Sequence, residues 1–340
     1  MDAGLAAAIA MALAFAFTNG FHDAANAIAT LVATRAARPL PAILMASAAN
    51  LLGPFVLGAA VVKTVAGIVT VDPDIAVAVI GAGLTGAVLW NLATWYRGIP
   101  SSASHALVGG LVGAAIAAAG VHAVAWGPVV DGSIGGVLGI LIGILVASLL
   151  GFSASWILER AAMRLARRAS VAAGRPVRRA QWLTSGWLAF SHGANDASKT
   201  VGVIAALLVA TGDIDDVADP GFLVILGCSL ALTLGTALGG WRIVRTIGRR
   251  IYPIRSLDGL VSQTSSAGVI FAASLGGLPI STSQVVSSSV VGIGAGRRRW
   301  RHVSWGVVRE IGVAWLTTMP AAAILAVVSL PLWLHLAGGR

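Results

Sequence analysis

The chain has 340 residues, 57% of them hydrophobic and 11% charged, with a mean hydropathy of +0.88. A soluble domain carries roughly 25% charged residues, so a soluble globular fold is excluded, and the lone Cys228 excludes an intrachain disulfide scaffold. The net charge of +10 would point to nucleic acid in a soluble protein, but here it sits in short clusters between apolar runs, so no nucleic-acid partner is expected.

At about 20 residues per span, the sequence predicts ten membrane segments. The first covers 4–33, and Leu5 to Val32 reads as a retained span, because no basic region precedes it and no cleavage site follows. Within it lies Thr18-Asn19-Gly20-Phe21-His22-Asp23-Ala24-Ala25-Asn26. Segments 41–62 and 75–96 follow, and segment 99–120 opens on Pro100-Ser101-Ser102-Ala103-Ser104-His105. Segment 134–158 leads into a basic stretch, 159–181. Segment 182–210 carries Ser191-His192-Gly193-Ala194-Asn195-Asp196-Ala197-Ser198-Lys199. Segments 221–241 and 256–276 come next, then 279–296, opening on Pro279-Ile280-Ser281-Thr282-Ser283-Gln284, and finally 303–336. Arg35, Arg38, Arg97 and the clusters 160–179, 242–255 and 297–301 follow alternate segments, while Asp72, Asp74 and Asp213 to Asp219 fall in the loops between. Basic loops mark the cytoplasmic side, so the expected arrangement in the plasma or inner membrane has both termini outside.

Asp23 aligns with Asp196 at a spacing of 173 residues, as Gly20 does with Gly193, and the two proline–serine stretches align at 179. Five segments per half is an odd number, so the second copy enters the membrane inverted. The expected fold is an all-α polytopic membrane protein of about ten (10–12) segments. It has two inverted-topology repeats with broken or re-entrant helices, 1–158 and 182–340, joined by a basic cytoplasmic linker at 159–181. Such repeats mark secondary transporters.

An aspartate at the centre of a membrane helix costs about 2.5–3.5 kcal/mol or more, and here it occurs twice at matching places. The neighbouring glycines predict a helix interrupted at each aspartate, offering carboxylate and carbonyl oxygens to a hard cation. Ser101, Ser102, Ser104, Ser281, Thr282 and Ser283 sit where helices restart after proline, and there free N–H groups and hydroxyls attract an anion. Lys199 is one of only two lysines and lies one helical turn after Asp196, within ion-pairing reach. Its counterpart in the first half is the neutral Asn26. His22, His105 and His192 stand in the motifs as either proton carriers or neutral hydrogen-bond partners.

These motifs resemble the paired signatures of the inorganic phosphate transporter (PiT) family, over the whole chain. The resemblance implies symport of inorganic phosphate at the interface of the repeats, and a homodimer in membrane lipid. It places phosphate on Ser101, Ser102, Ser104, Ser281, Thr282, Ser283, Asn26 and Asn195. The coupling ion falls to Asp23, Asp196, Lys199 and His22, with Asp23 and Asp196 as metal ligands if that ion is sodium. His22 stands where the family has Asn, and Lys199 where its sodium-coupled pattern has a second Asn. The ending Asn-Asp-Ala-Ser-Lys resembles the bacterial low-affinity, proton-coupled branch. No cofactor is expected beyond the coupling cation, H+ or Na+, with a divalent metal able to accompany phosphate.

A sodium-coupled carrier or a sulfate permease of the same fold remains an alternative. More distant ones are an anion channel and an intramembrane hydrolase, with Ser102 or Ser104 as nucleophile, His105 as base and Asp23 as orienter. A hydrolase has no reason to duplicate its motif, and Gln284 stands where a second copy would need the histidine.

Overall fold

The computed structural model describes residues 3–127, 136–166 and 174–338. Its helices are α1 (Ala3–Ala33), α2 (Pro39–Leu57), α3 (Ala59–Ala66), α4 (Pro73–Arg97), α5 (Ala103–Ala119), α6 (Gly136–Ala166), α7 (Gly174–Ala210), α8 (Phe222–Leu238), α9 (Trp241–Arg245), α10 (Ser256–Leu275), α11 (Thr282–Gly296) and α12 (Trp305–Leu336). Among the described residues the only β-type contact is an isolated bridge, Val69 to Val124. Prolines open α2 and α4, where a missing N–H costs nothing. Gly98 ends α4 in the left-handed conformation, φ +69°.

The ten expected segments all appear as helices, two of them in pieces; residues 134 and 135 of the fifth lie outside the described residues. Segment 41–62 divides at Gly58 into α2 and α3. Segment 221–241 ends at Leu238, and α8 meets the stretch Trp241–Arg250 at a 60° bend. α1, α2, α4, α6 and α12 are long and apolar enough to cross a membrane, and the bent pair makes a sixth span. α7 and α10 have the length, at 37 and 20 residues, but carry polar side chains inward. α5 and α11 have only 17 and 15 residues, each preceded by extended chain. The stretch read as a linker is helical at both ends, since α6 runs to Ala166 and α7 starts at Gly174. Residues 167–173 of it lie outside the described residues.

One expectation is corrected. α1 and α7 run unbroken through Asp23 and Asp196. The nearby glycines serve close packing instead of unwinding. A Cβ on Gly20 would lie 2.0 Å from the Leu232 carbonyl oxygen of α8, and one on Gly193 2.2 Å from the Asn50 carbonyl oxygen of α2. Reciprocally, Gly235 of α8 meets the Phe17 carbonyl and Gly53 of α2 the Phe190 carbonyl. Each motif helix therefore packs on a helix of the other half, α1 on α8 and α7 on α2. The same exchange pairs α5 with α12 and α11 with α6.

The basic loops gather at one end of the bundle. Trp182 Nε1 donates to the Ala36 carbonyl, Thr246 Oγ1 to the Gly98 carbonyl, and Arg250 lies 3.7 Å from Glu310. Gly4 packs against Ala337, so the two ends of the described chain are neighbours. Two apolar clusters fill the interior. One takes Leu5 to Phe15 of α1 and Val201 to Leu207 of α7; the other takes Ala25 to Leu31 of α1 and Leu188 with Ala189 of α7. Between them lies the polar layer that holds both motifs.

Candidate functional site

Asp23 and Asp196 face each other in this layer, both buried. Burying two carboxylates demands partners, and the first turn of α11 helps to supply them. Thr282 Oγ1 is 3.0 Å from Asp196 Oδ2 and 3.3 Å from Asp23 Oδ2, so its single hydroxyl stands between the two acids. Ser283 Oγ donates to Asp23 Oδ1 at 2.6 Å. Asn26 Nδ2 reaches Ser283 Oγ at 3.0 Å and Thr282 Oγ1 at 3.3 Å. His22 Nδ1 is 2.9 Å from Asp23 Oδ1, and its Nε2 faces Ser101 Oγ at 3.2 Å and Thr94 Oγ1 at 3.3 Å.

The second half is built around Lys199. Its ammonium pairs with Asp196 Oδ1 one turn back on α7, and it donates to Ser104 Oγ and the Ile280 carbonyl, both at 2.7 Å. Ser104 Oγ also donates to the Ile280 carbonyl, at 2.7 Å. A fully buried lysine is tolerable only with such a set of acceptors.

Most of the residues expected from sequence meet here: Asp23, Asp196, Lys199, His22, Asn26, Ser101, Ser104, Thr282 and Ser283. Three take other positions. Ser102 and Ser281 are the N-caps of α5 and α11, accepting from the His105 and Gln284 backbone N–H groups. Asn195 turns to α10, donating to Ser274 Oγ at 3.1 Å and the Leu278 carbonyl at 3.0 Å. His192 matters more than its sequence context suggested. Its Nε2 is 2.7 Å from Asp196 Oδ2 and 3.9 Å from Asp23 Oδ2, while its Nδ1 faces Asn50 Oδ1 at 3.1 Å. Its counterpart 173 residues earlier is Asn19, also buried, so this half of the motif is asymmetric. His105 does not serve a serine. Its Nδ1 accepts from Gln284 Nε2 at 3.1 Å, and Ser104 is committed to Lys199 and Ile280, so the hydrolase arrangement does not form.

Two motif pairs, one from each half, thus converge on a buried acid pair flanked by hydroxyl donors. The sequence profile of the phosphate transporter family matches residues 19–326, a stretch that contains both aspartates and their hydroxyl donors. The chain belongs to the phosphate transporter family. It is 40% identical over 324 residues to a probable low-affinity inorganic phosphate transporter of Mycobacterium tuberculosis, covering 95% of this chain and 75% of that one. A protein of the same description from Rhizobium meliloti is 40% identical, with 91% of this chain and 90% of that one covered. The corresponding Bacillus subtilis protein is 38% identical, with coverage of 92% and 91%. Among solved structures, a sodium-dependent phosphate transporter superposes with a TM-score of 0.85 at 26% identity, covering 97% of this chain and 98% of that one. This family member is a multi-pass phosphate transporter and not an enzyme.

Proposed function

We propose that the chain is a secondary active symporter that brings inorganic phosphate into the cell, coupled to protons. Thr282 carries this reading: one hydroxyl at the start of α11 is shared by two carboxylates from opposite halves of the chain. A tetrahedral oxyanion needs donors from several directions, and Thr282, Ser283, Asn26, Ser101 and Ser104 already point into one layer. On phosphate binding these donors turn from each other and from the carboxylates to the anion. Ser102 and Ser281 contribute through the helix N-termini they cap.

The charge count sets the coupling. Asp23 and Asp196 with Lys199 leave −1, and a phosphate dianion makes this −3. Uncompensated charge in a low dielectric costs tens of kcal/mol in the Born limit, so cations accompany the anion. Both oxygens of Asp196 are engaged, one by Lys199 and one by His192. The second half therefore has a fixed ammonium where a mobile cation would sit, which favours a proton as the coupling ion.

A second reading, sodium at the first-half site, has its own observation. Asp23, Thr282, Ser283 and the buried Asn26 Oδ1, which has no partner among the described residues, form an oxygen set suited to a hard cation. Asp23, His192 and Asp196 also offer ligand atoms within 4.8 Å of one another. The similar solved structure is of a sodium-dependent transporter.

The exchanged helix partners support two inverted halves, 1–158 and 182–340. With the basic end taken as cytoplasmic, both termini lie outside. The buried cluster is closed off from solvent, so transport requires the two pairs of loops and motif helices to part on each side in turn. Phosphate uptake into proteoliposomes, with sulfate as competitor and with sodium and proton gradients imposed separately, tests the whole reading. Uptake that accumulates phosphate against its gradient supports it. Passive conductance, or stronger uptake of sulfate, overturns it.

A further inference from the structure

We propose that a cavity between the C-terminal ends of α6 and α11 is a second anion site, one that takes a phosphoryl group apart from the transport layer. The cavity, of about 260 Å³, is lined by Arg160, Met163, Arg164, Gly296, Arg297 and Arg298. Four of these six residues are cationic. α11 separates it from Thr282 and Ser283: at 1.5 Å per residue its 15 residues span about 22 Å.

The arginines are assembled at a cost. Arg160 and Arg164 stand one turn apart on α6, where like charges repel. Among the described residues, none of Arg160, Arg164 and Arg298 has an acidic partner. The Arg160 guanidinium lies over the Trp156 ring, 4.4 Å from its centroid, which holds it in place without neutralising it. Arg298 adopts a left-handed backbone, φ +57°, disfavoured for a side-chain-bearing residue.

The back wall is fixed from behind. Arg297, 8% exposed, places Nε 2.9 Å from Glu159 Oε1 and pairs through Nη2 with Asp258. Both carboxylates are fully buried and neither lines the cavity. They orient Arg297 and leave the other three guanidinium groups uncompensated. A planar guanidinium fork matches phosphoryl oxygens. Exposed Trp300 and Trp305 stack at 5.9 Å at the same end of the bundle, and such aromatics mark the level of lipid headgroups. The chemistry recognised is thus a phosphoryl anion, whether on an anionic phospholipid or free in solution.

The test measures thermal unfolding of the purified full-length protein in two arms. In one, vesicles of pure phosphatidylcholine are compared with vesicles that also contain phosphatidylglycerol. In the other, inorganic phosphate is titrated at constant ionic strength. Arg160→Gln/Arg164→Gln should weaken the stabilisation in the arm that identifies the source by about tenfold in apparent affinity. Phosphate uptake in phosphatidylcholine vesicles should be retained. Arg298→Gln, at an exposed position, should act in the same direction and covers the case in which the double variant folds poorly. Wild-type stabilisation in neither arm, or equal affinities of wild type and Arg298→Gln in both, would overturn the site.

Discussion

Asn26 and Lys199 occupy equivalent places in the two motifs, and each donates to the equivalent serine of the opposite half. Asn26 Nδ2 reaches Ser283 Oγ at 3.0 Å, and Lys199 Nζ reaches Ser104 Oγ at 2.7 Å. The serine contact is shared, and the charge differs. Lys199 thereby replaces a neutral donor with a cation at one site of the pair, and the coupling proposal rests on that asymmetry.

Asp23→Asn and Asp196→Asn should each abolish phosphate uptake, because cation binding needs the carboxylate charge. Their stabilities should differ. Asp196→Asn leaves the Lys199 ammonium buried without its counter-ion, and breaking a buried pair costs about 3–5 kcal/mol. Asp23 has hydroxyl and imidazole partners that tolerate an amide. Uptake in proteoliposomes and thermal unfolding measure the two effects; near-normal uptake by either variant removes that aspartate from the site.

Lys199→Asn should abolish proton-driven uptake while preserving the contact with Ser104, and sodium dependence should appear. The measurement is initial-rate uptake with sodium replaced by choline, then with a pH step in the absence of sodium. Wild-type uptake that collapses without sodium and ignores the pH step would assign the coupling ion to the Asp23 oxygen set instead.

Thr282→Val should impair uptake far more than Ser102→Ala or Ser281→Ala. The threonine hydroxyl touches both carboxylates, whereas the two serines cap helices, a role worth about 1 kcal/mol. Apparent affinity and maximal rate, measured with unfolding midpoints, separate these roles. A larger affinity loss in Ser102→Ala than in Thr282→Val would invert the assignment.

Gly20→Ala and Gly193→Ala should both destabilise, and by similar amounts. Each added methyl meets a carbonyl oxygen of a partner helix, and overpacking of this kind costs about 1–3 kcal/mol. Equal losses in unfolding midpoint would match the reciprocal contacts of α1 with α8 and α7 with α2. A harmless Gly193→Ala beside a damaging Gly20→Ala would not.

Much of the site was legible because its signals are costs. A carboxylate amid apolar residues, repeated 173 positions later, and a lysine one turn from the second copy leave few structural solutions. The apolar segments were equally readable. Other features depend on where separate helices meet. Asn50 sits in an ordinary apolar stretch until α2 lies against α7 and brings its side chain to His192. Gly20 has two local meanings, unwinding or close approach, and only the position of Leu232 decides between them. Ser102 and Ser281 carry the same composition as their neighbours, yet backbone direction turns them into caps. Glu159 comes from α6, Asp258 from α10 and Arg297 from the end of α11, and nothing in their spacing announces a cluster.

The partners of Asp23 impose a timetable on synthesis. Ser283, its shortest hydroxyl contact, lies 260 residues downstream. At about 5–20 residues per second, roughly 13–50 s pass before that serine is made. Throughout this interval α1 carries a carboxylate whose hydroxyl donors do not yet exist. The newly inserted first half is therefore an unfinished protein that depends on water, lipid headgroups or an insertion factor to shelter the charge. A ribosome stalled before Ser283 would leave a membrane-inserted chain for quality-control proteases to recognise by that one exposed acid.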